Sequence, residues 1–161
     1  MGGLYGILFR WWLDVPLAKK AEARFAREIR ENLSFLFEDK SAAVVPNEGV
    51  SFPPPLDYAL VTVAVGRLLF RFVRGGGEFR IEMALSGDVM NSRDWKDLRV
   101  IWAVLNESEA DEPFLRLRNL LDADSFLRAE LVRLQELASK DQWGLVKRKA
   151  NALFPLPMRI R

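Results

Sequence analysis

Between Tyr58 and Leu85 apolar residues recur at every second position in three runs, separated by Gly66 and by Gly75-Gly76-Gly77. A period of two belongs to strands with one buried face, and glycines between such runs mark tight turns. The pattern predicts three consecutive strands. Ala59, Val61, Val63 and Val65 share the apolar face of the first. Leu68, Phe70 and Phe72 belong to the second, alternating with Arg67, Arg71 and nonpolar Leu69. Phe79, Ile81, Met83 and Leu85 belong to the third, alternating with Glu78, Arg80 and Glu82. The result is an antiparallel meander with one greasy face.

Side-chain chemistry restricts the register, because a slip of one residue moves every side chain to the other face. A two-residue Val65-Gly66 turn sets Val63 opposite Leu68 and Val61 opposite Phe70. In the second hairpin, a loop from Gly75 to Glu78 sets Phe72 opposite Ile81 and Arg71 opposite Glu82. A Gly75-Gly76 loop would also keep the faces, but it opposes Arg71 to Arg80. Like charges directly opposite are unfavourable, so the longer loop is expected.

Helical periodicity flanks the meander. Leu4 to Val15 is apolar nearly all round, with Leu4, Ile7, Leu8, Trp11 and Trp12 at helical spacing. Pro16 fits the first turn of a second helix running to about Asp39. Its stripe is Leu17, Ala21, Phe25, Ile29, Leu33, Leu36 and Phe37, with Lys19, Lys20, Arg24, Arg27, Arg30 and Glu31 facing outward. Ala42 to Val45 reads as an edge strand, Asn47-Glu48-Gly49 as a turn, and Phe52-Pro53-Pro54-Pro55 as an extended connector. After Asn91, Ser92 or Asp94 can cap a helix carrying Trp95, Leu98, Ile101, Trp102 and Leu105. An acidic loop spans Asn106 to Glu112. Pro113 opens a helix with Phe114, Leu117, Leu120 and Leu121. Asp122 or Asp124 caps another with Leu127, Leu131, Leu134 and Ala138. A last helix, from about Asp141, carries Trp143, Val146, Ala150 and Leu153 and ends at Pro155 and Pro157.

The expected fold class is α+β, as a single domain over residues 1–161. Residues 1–39 are helical, 42–85 form the sheet, 92–154 are helical and 155–161 form a tail. The meander is three-stranded, or four-stranded where Ala42 to Val45 joins it, and the N-terminal and C-terminal helices cover its apolar face. The 161 residues suffice to bury roughly 70% of the unfolded surface.

Function is bounded chiefly by two missing residue types. The chain has no histidine and no cysteine. Ser-His-Asp and Cys-His arrangements are therefore impossible, as are thiolate or imidazole zinc sites. Chemistry is left to carboxylates, Lys, Tyr and backbone groups. Nothing in the spacing of the 22 acids singles out an acid/base pair, so no cofactor, metal or catalytic residue is assigned. Gly75-Gly76-Gly77 lacks the spacing of a phosphate loop. Asp122-Ala123-Asp124-Ser125 lacks the glycine and distal glutamate of a calcium loop. Both are read structurally, as a turn and a cap.

Charge narrows the partners. The 24 basic and 22 acidic residues leave a formal charge of +2, with signs interleaved along the chain. A nucleic-acid binder carries a concentrated basic stripe, so nucleic acid is not the expected partner. The meander's Arg67, Arg71, Arg74 and Arg80 keep it as an alternative. Interleaved with Glu78 and Glu82 they read as an exposed sheet face laced with ion pairs, and Arg67, Arg71 and Arg74 are candidate protein-binding residues, suited to an acidic partner surface. Leu4 to Leu13 is only about ten residues long and holds Arg10, against about 20 apolar residues for a span, so no membrane span is expected. It lacks the marks of a secretory signal, and a cytoplasmic location is the expectation. The same segment could serve a homo-oligomer contact in a structural protein. Glu107, Glu109, Asp111 and Glu112 form the most localised acidic feature, suited to docking a basic partner.

Arg67-Leu68-Leu69-Phe70-Arg71-Phe72-Val73-Arg74, a glycine turn, Glu78-Phe79-Arg80-Ile81-Glu82 and then Trp95-Lys96-Asp97-Leu98 follow in order. This third of the chain resembles small bacterial orphan proteins that pair an Arg-rich "RFVRxRG" hairpin with a "W-x-D-L" helix. Some of those are similar to immunity proteins encoded beside polymorphic toxins. The chain departs at Gly76, where a second arginine would stand. The resemblance carries over no catalytic residue. It implies a non-enzymatic protein that binds another protein in the bacterial cytoplasm, such as a basic toxin domain.

Overall fold

The computed structural model describes residues 19–47, 58–87, 89, 94–107, 116–139 and 142–153. The fold is α+β, with a five-stranded antiparallel sheet. Helix α1 covers residues 19–32 and α2 covers Ser34–Glu38. The strands are β1 (Ala43–Val45), β2 (Ala59–Val65), β3 (Leu68–Gly75), β4 (Glu78–Leu85) and β5 (Lys96–Asp97). Three helices follow: α3 (Leu98–Leu105), α4 (Leu120–Ser139) and α5 (Trp143–Leu153). Strand order in the sheet equals strand order in the chain.

The predicted meander is the centre of the sheet, and β-branched and aromatic residues suit its pleated, packed strands. Its apolar face carries Val61, Val63, Phe70, Phe72, Ile81 and Met83, all essentially without solvent contact. One continuous core joins this face to Phe25 and Ile29 of α1, Leu33 just after it, Leu36 of α2, and Leu98 and Ile101 of α3. Leu127, Leu131 and Leu134 of α4 and Trp143, Val146 and Ala150 of α5 complete it. Among the described residues the expected stripes of these helices thus face inward except at Leu121 and Leu153, which are exposed, and Lys19, Lys20, Arg24, Arg27, Arg30 and Glu31 face solvent as expected.

The second hairpin has the expected register, with Phe72 opposite Ile81 and Arg71 opposite Glu82. Pairing continues one step further, to Gly75 and Glu78, so the turn tightens to Gly76-Gly77. Both turn residues have positive φ (57° and 77°), as a type I′ hairpin requires. The first hairpin corrects the sequence expectation. Val63 lies opposite Phe70, Val61 opposite Phe72 and Val65 opposite Leu68, so the turn is Gly66-Arg67. Gly66 takes φ 60° at the first central position, where a primed turn accommodates glycine. The shift is two residues, which leaves every face unchanged.

Gly76 also lies against Tyr58. A Cβ there would come within 2.9 Å of the Tyr58 hydroxyl, whereas at Gly77 it would meet nothing. Gly76→Ala is expected to cost about 1–2 kcal/mol from backbone strain alone, with a further loss as Tyr58 is displaced. Gly77→Ala should show only the backbone strain. Paired urea melts check this, and equal losses would discount the Tyr58 contact.

Other boundaries also move. The second helix is interrupted at Leu33, whose backbone leaves the helical region (φ −116°, ψ 37°). Asn32 donates its side-chain amide to the Glu28 carbonyl at 2.8 Å, a local competitor to helix continuation. Trp95 precedes β5 and is not helical. The cap of α3 is Asp97, which accepts from the Arg99 backbone N–H at 2.9 Å, in place of the expected Ser92 or Asp94. Trp95 and Trp102 therefore do not share a helix face. Trp102 packs on the main core, while Trp95 joins Leu69 and Ala84 on the opposite side of the sheet. Residues 116–119 are not helical, and Leu120 and Leu121 belong to α4. Asn119 caps that helix by accepting from the Asp122 N–H at 2.9 Å. Asp122 and Asp124 lie within α4, and neither is its cap.

The expected helix from Leu4 to Val15, the start of the second helix at Pro16, the Phe52 to Pro55 connector, the Pro113 helix start and the 155–161 tail lie outside the described residues. Among the described residues no helix is long and apolar enough to cross a membrane.

Candidate functional site at the second hairpin

The arginines expected on one face are distributed over the sheet. Arg67 sits in the first turn and donates from Nη1 to the Ala138 carbonyl at 3.0 Å, tying that turn to the end of α4. Arg74 lies near the opposite end of β3, on the side of α1. Its guanidinium stands 4.2 Å from the centre of the Phe25 ring and pairs with Glu28. The hydrogen bond from Arg74 holds the Glu28 carboxyl below its ordinary range.

Arg71 and Arg80 project from the other face. Arg71 is only 6% exposed, contrary to the expected solvated position. Its Nε and Nη2 meet Glu82 Oε2 at 2.6 and 2.5 Å, and the guanidinium lies 4.2 Å from the Trp95 ring centre. Arg80 Nε approaches the other oxygen of Glu82 at 3.3 Å. Asp97 stands directly across from Glu82 in β5 and carries a two-pronged pair with Arg99, with Nε–Oδ1 at 2.9 Å and Nη2–Oδ2 at 2.5 Å. That pairing raises the already high pKa of Arg99.

Two clefts flank the second hairpin turn. One, of about 630 Å³, runs between the glycine turn, α1 and the start of α4; its lining includes Glu28, Asn32, Arg74, Arg118 and Leu121. The other, of about 480 Å³, follows β4 and includes Arg80, Glu82, Asp97, Arg99, Leu117 and Arg118. Gly77, Glu78, Phe79 and Arg118 border both. Leu121 is 70% exposed at the first cleft, the most exposed large apolar side chain among the described residues.

No family model, curated protein or solved structure matches this chain. Chemistry at the site thus rests on its own geometry. The carboxylates of Glu28, Glu82 and Asp97 each contact a guanidinium, which suits them to holding structure and to polar recognition. Among the described residues no cluster of acids is placed to bind a metal ion.

Of the acidic residues singled out in the sequence, Glu107 is exposed just beyond α3, with φ 52°. Glu109, Asp111 and Glu112 lie outside the described residues. Arg74 lines the first cleft, whereas Arg71 and Arg67 line neither. Sequence reasoning missed Leu121, Arg99 and Arg118. Leu121 was absorbed into a helical apolar stripe. Arg118 carried one usable signal, Asp122 four residues on, which it contacts through Nε at 3.2 Å.

Proposed function

We propose that this chain acts by binding another protein and catalyses no reaction, and that in the bacterial cytoplasm its role is to neutralise a toxin. The observation that carries the reading is Leu121, an exposed apolar side chain beside an open cleft rimmed by Arg118 and the Glu28–Arg74 pair. An apolar anchor within a charged rim is the common anatomy of a protein-binding patch. The Arg-rich hairpin and its likeness to immunity-type orphan proteins agree with it. Glu107, Glu109, Asp111 and Glu112 would add attraction for a basic partner surface.

Co-expression with a toxin-like product of a neighbouring gene tests the reading. The wild-type chain should restore growth and form a complex with the purified toxin. Leu121→Asp should weaken that complex by about tenfold or more, with stability changed by no more than about 0.5 kcal/mol at so exposed a position. Changing all four acids to Lys should slow association. Absence of both rescue and complex formation by the wild type would refute the toxin role. Unchanged affinity of Leu121→Asp would remove the cleft from it.

A further inference from the structure

Strand β5 is two residues long and pairs only with Glu82 and Met83 of β4. Among the described residues no strand pairs with Glu78–Arg80 on that side. Alternation of the antiparallel ladder fixes where the backbone groups point. Gly75 and Glu78 flank a two-residue turn and form a hydrogen-bonded pair. The next residue, Phe79, therefore aims its N–H and C=O away from β3, toward the cleft that follows β4. This is an open sheet edge inside a groove, with Leu117 and Arg118 lining it along with β4.

The groove's exposed charge has one dominant sign. In its ion pairs the guanidinium is the more exposed partner: Arg80 at 40% against Glu82 at 16%, and Arg99 at 40% against Asp97 at 22%. Arg118 stands at 71% against Asp122 at 23%. Among the described residues, Arg80 and Arg118 meet their carboxylates through Nε, which leaves their terminal N–H groups directed to other acceptors. Glu78 is the one exposed acid in the lining. Phe79, half-buried, and Ile81 face the apolar side of the sheet, while Arg80 faces the other.

We infer that this groove receives an extended acidic segment of a partner protein, added as a strand to the open edge of β4. The ladder would be made with the Phe79 backbone. Residues of the guest on the side of Arg80 would be Asp or Glu, meeting Arg80, Arg99 and Arg118. Residues on the other side would be apolar, packing on half-buried Phe79. Strand addition draws affinity from the main chain and specificity from alternate side chains. The inference rests on the reading of the chain as a protein-binding protein and names a second contact for it, in the groove next to the Leu121 cleft, with which it shares Arg118.

The probe is a fluorescently labelled ten-residue peptide of alternating Glu and Val, titrated with the full chain by anisotropy. Saturable binding is expected, weakened about tenfold or more when alternate peptide nitrogens are methylated and likewise when Glu is replaced by Lys. Arg80→Gln with Arg118→Gln should weaken it similarly, and circular dichroism should show an unchanged fold. No binding at millimolar peptide would overturn the inference, as would equal binding of the Lys peptide. Equal binding of the methylated peptide would also overturn it, because the contact would then be charge alone. A concentration-dependent dimer that the peptide does not dissociate would assign the edge to a second copy instead. Toxin rescue that persists in the Arg80→Gln, Arg118→Gln variant would sink this groove's role while leaving the proposed function standing.

Discussion

Arg71→Ala is expected to lower stability by about 3 kcal/mol, the lower end of the range for breaking a buried ion pair. The guanidinium is buried between Glu82 and the Trp95 ring, so its loss removes two short charge-assisted bonds and a stacked surface together. Among the described residues Glu82 would keep its contact with Arg80 at 3.3 Å. That remaining pair holds the figure near 3 kcal/mol and below 5. In a chain of this size the melting temperature should fall by about 6–12 °C. The double variant Arg71→Met, Glu82→Gln should recover much of the loss, because it leaves no uncompensated charge. A urea melt of both variants decides the matter. A cost below about 1 kcal/mol for Arg71→Ala would mark the pair as energetically equivalent to an exposed one.

Trp143→Ala should cost about 3–5 kcal/mol. Trp143 is 1% exposed and leads the inward face of α5, ahead of Val146 and Ala150. Its indole N–H has no acceptor among the described residues. Trp143→Phe removes that donor and retains a six-membered aromatic ring, so it should cost clearly less than the alanine variant. Chemical denaturation of the two proteins separates the contributions. Equal losses would mean that the cavity is governed by the indole's full volume and that the unpaired N–H carries no penalty.

The distinction between face and neighbour explains what the sequence revealed. Alternation in β2, β3 and β4 identified every core-facing residue of the meander, because a period of two has only two solutions. It could not distinguish the Val65-Gly66 turn from Gly66-Arg67, since a shift of two residues changes partners and preserves faces. Both primed turns need a positive φ at the first central position, which Gly66 accepts and β-branched Val65 resists, and that requirement would have resolved it. In the second hairpin, opposing Arg71 to Glu82 supplied that resolution. Strand β5 was not legible, because two residues carry no period; it exists through pairing with Glu82 and Met83. Its existence moves the helix start to Leu98 and separates Trp95 from Trp102, which had matched a helical spacing of seven.

The candidate site was legible only in its parts. Arg71 alternates with buried residues, and alternation alone assigns it to solvent; the Trp95 ring that covers it lies 24 positions later in the chain. Arg99 reads as an ordinary helical arginine until Asp97 is recognised as both strand partner and cap. The clefts arise where α4 begins beside the second turn, a juxtaposition that no local spacing encodes.

Because each strand pairs with the strand that precedes it, the sheet can assemble in the order in which a ribosome would deliver it. Hairpins of this kind close in about 1–10 μs, far faster than translation adds residues at about 5–20 per second. No strand must wait for a distant partner, so nascent edges are exposed only until the next segment emerges. The step that remains is sealing the apolar face, because α4 and α5 are made after the sheet. A truncated nascent chain ending before Leu120 would carry its sheet with the core open, and that interval is where a chaperone would engage it.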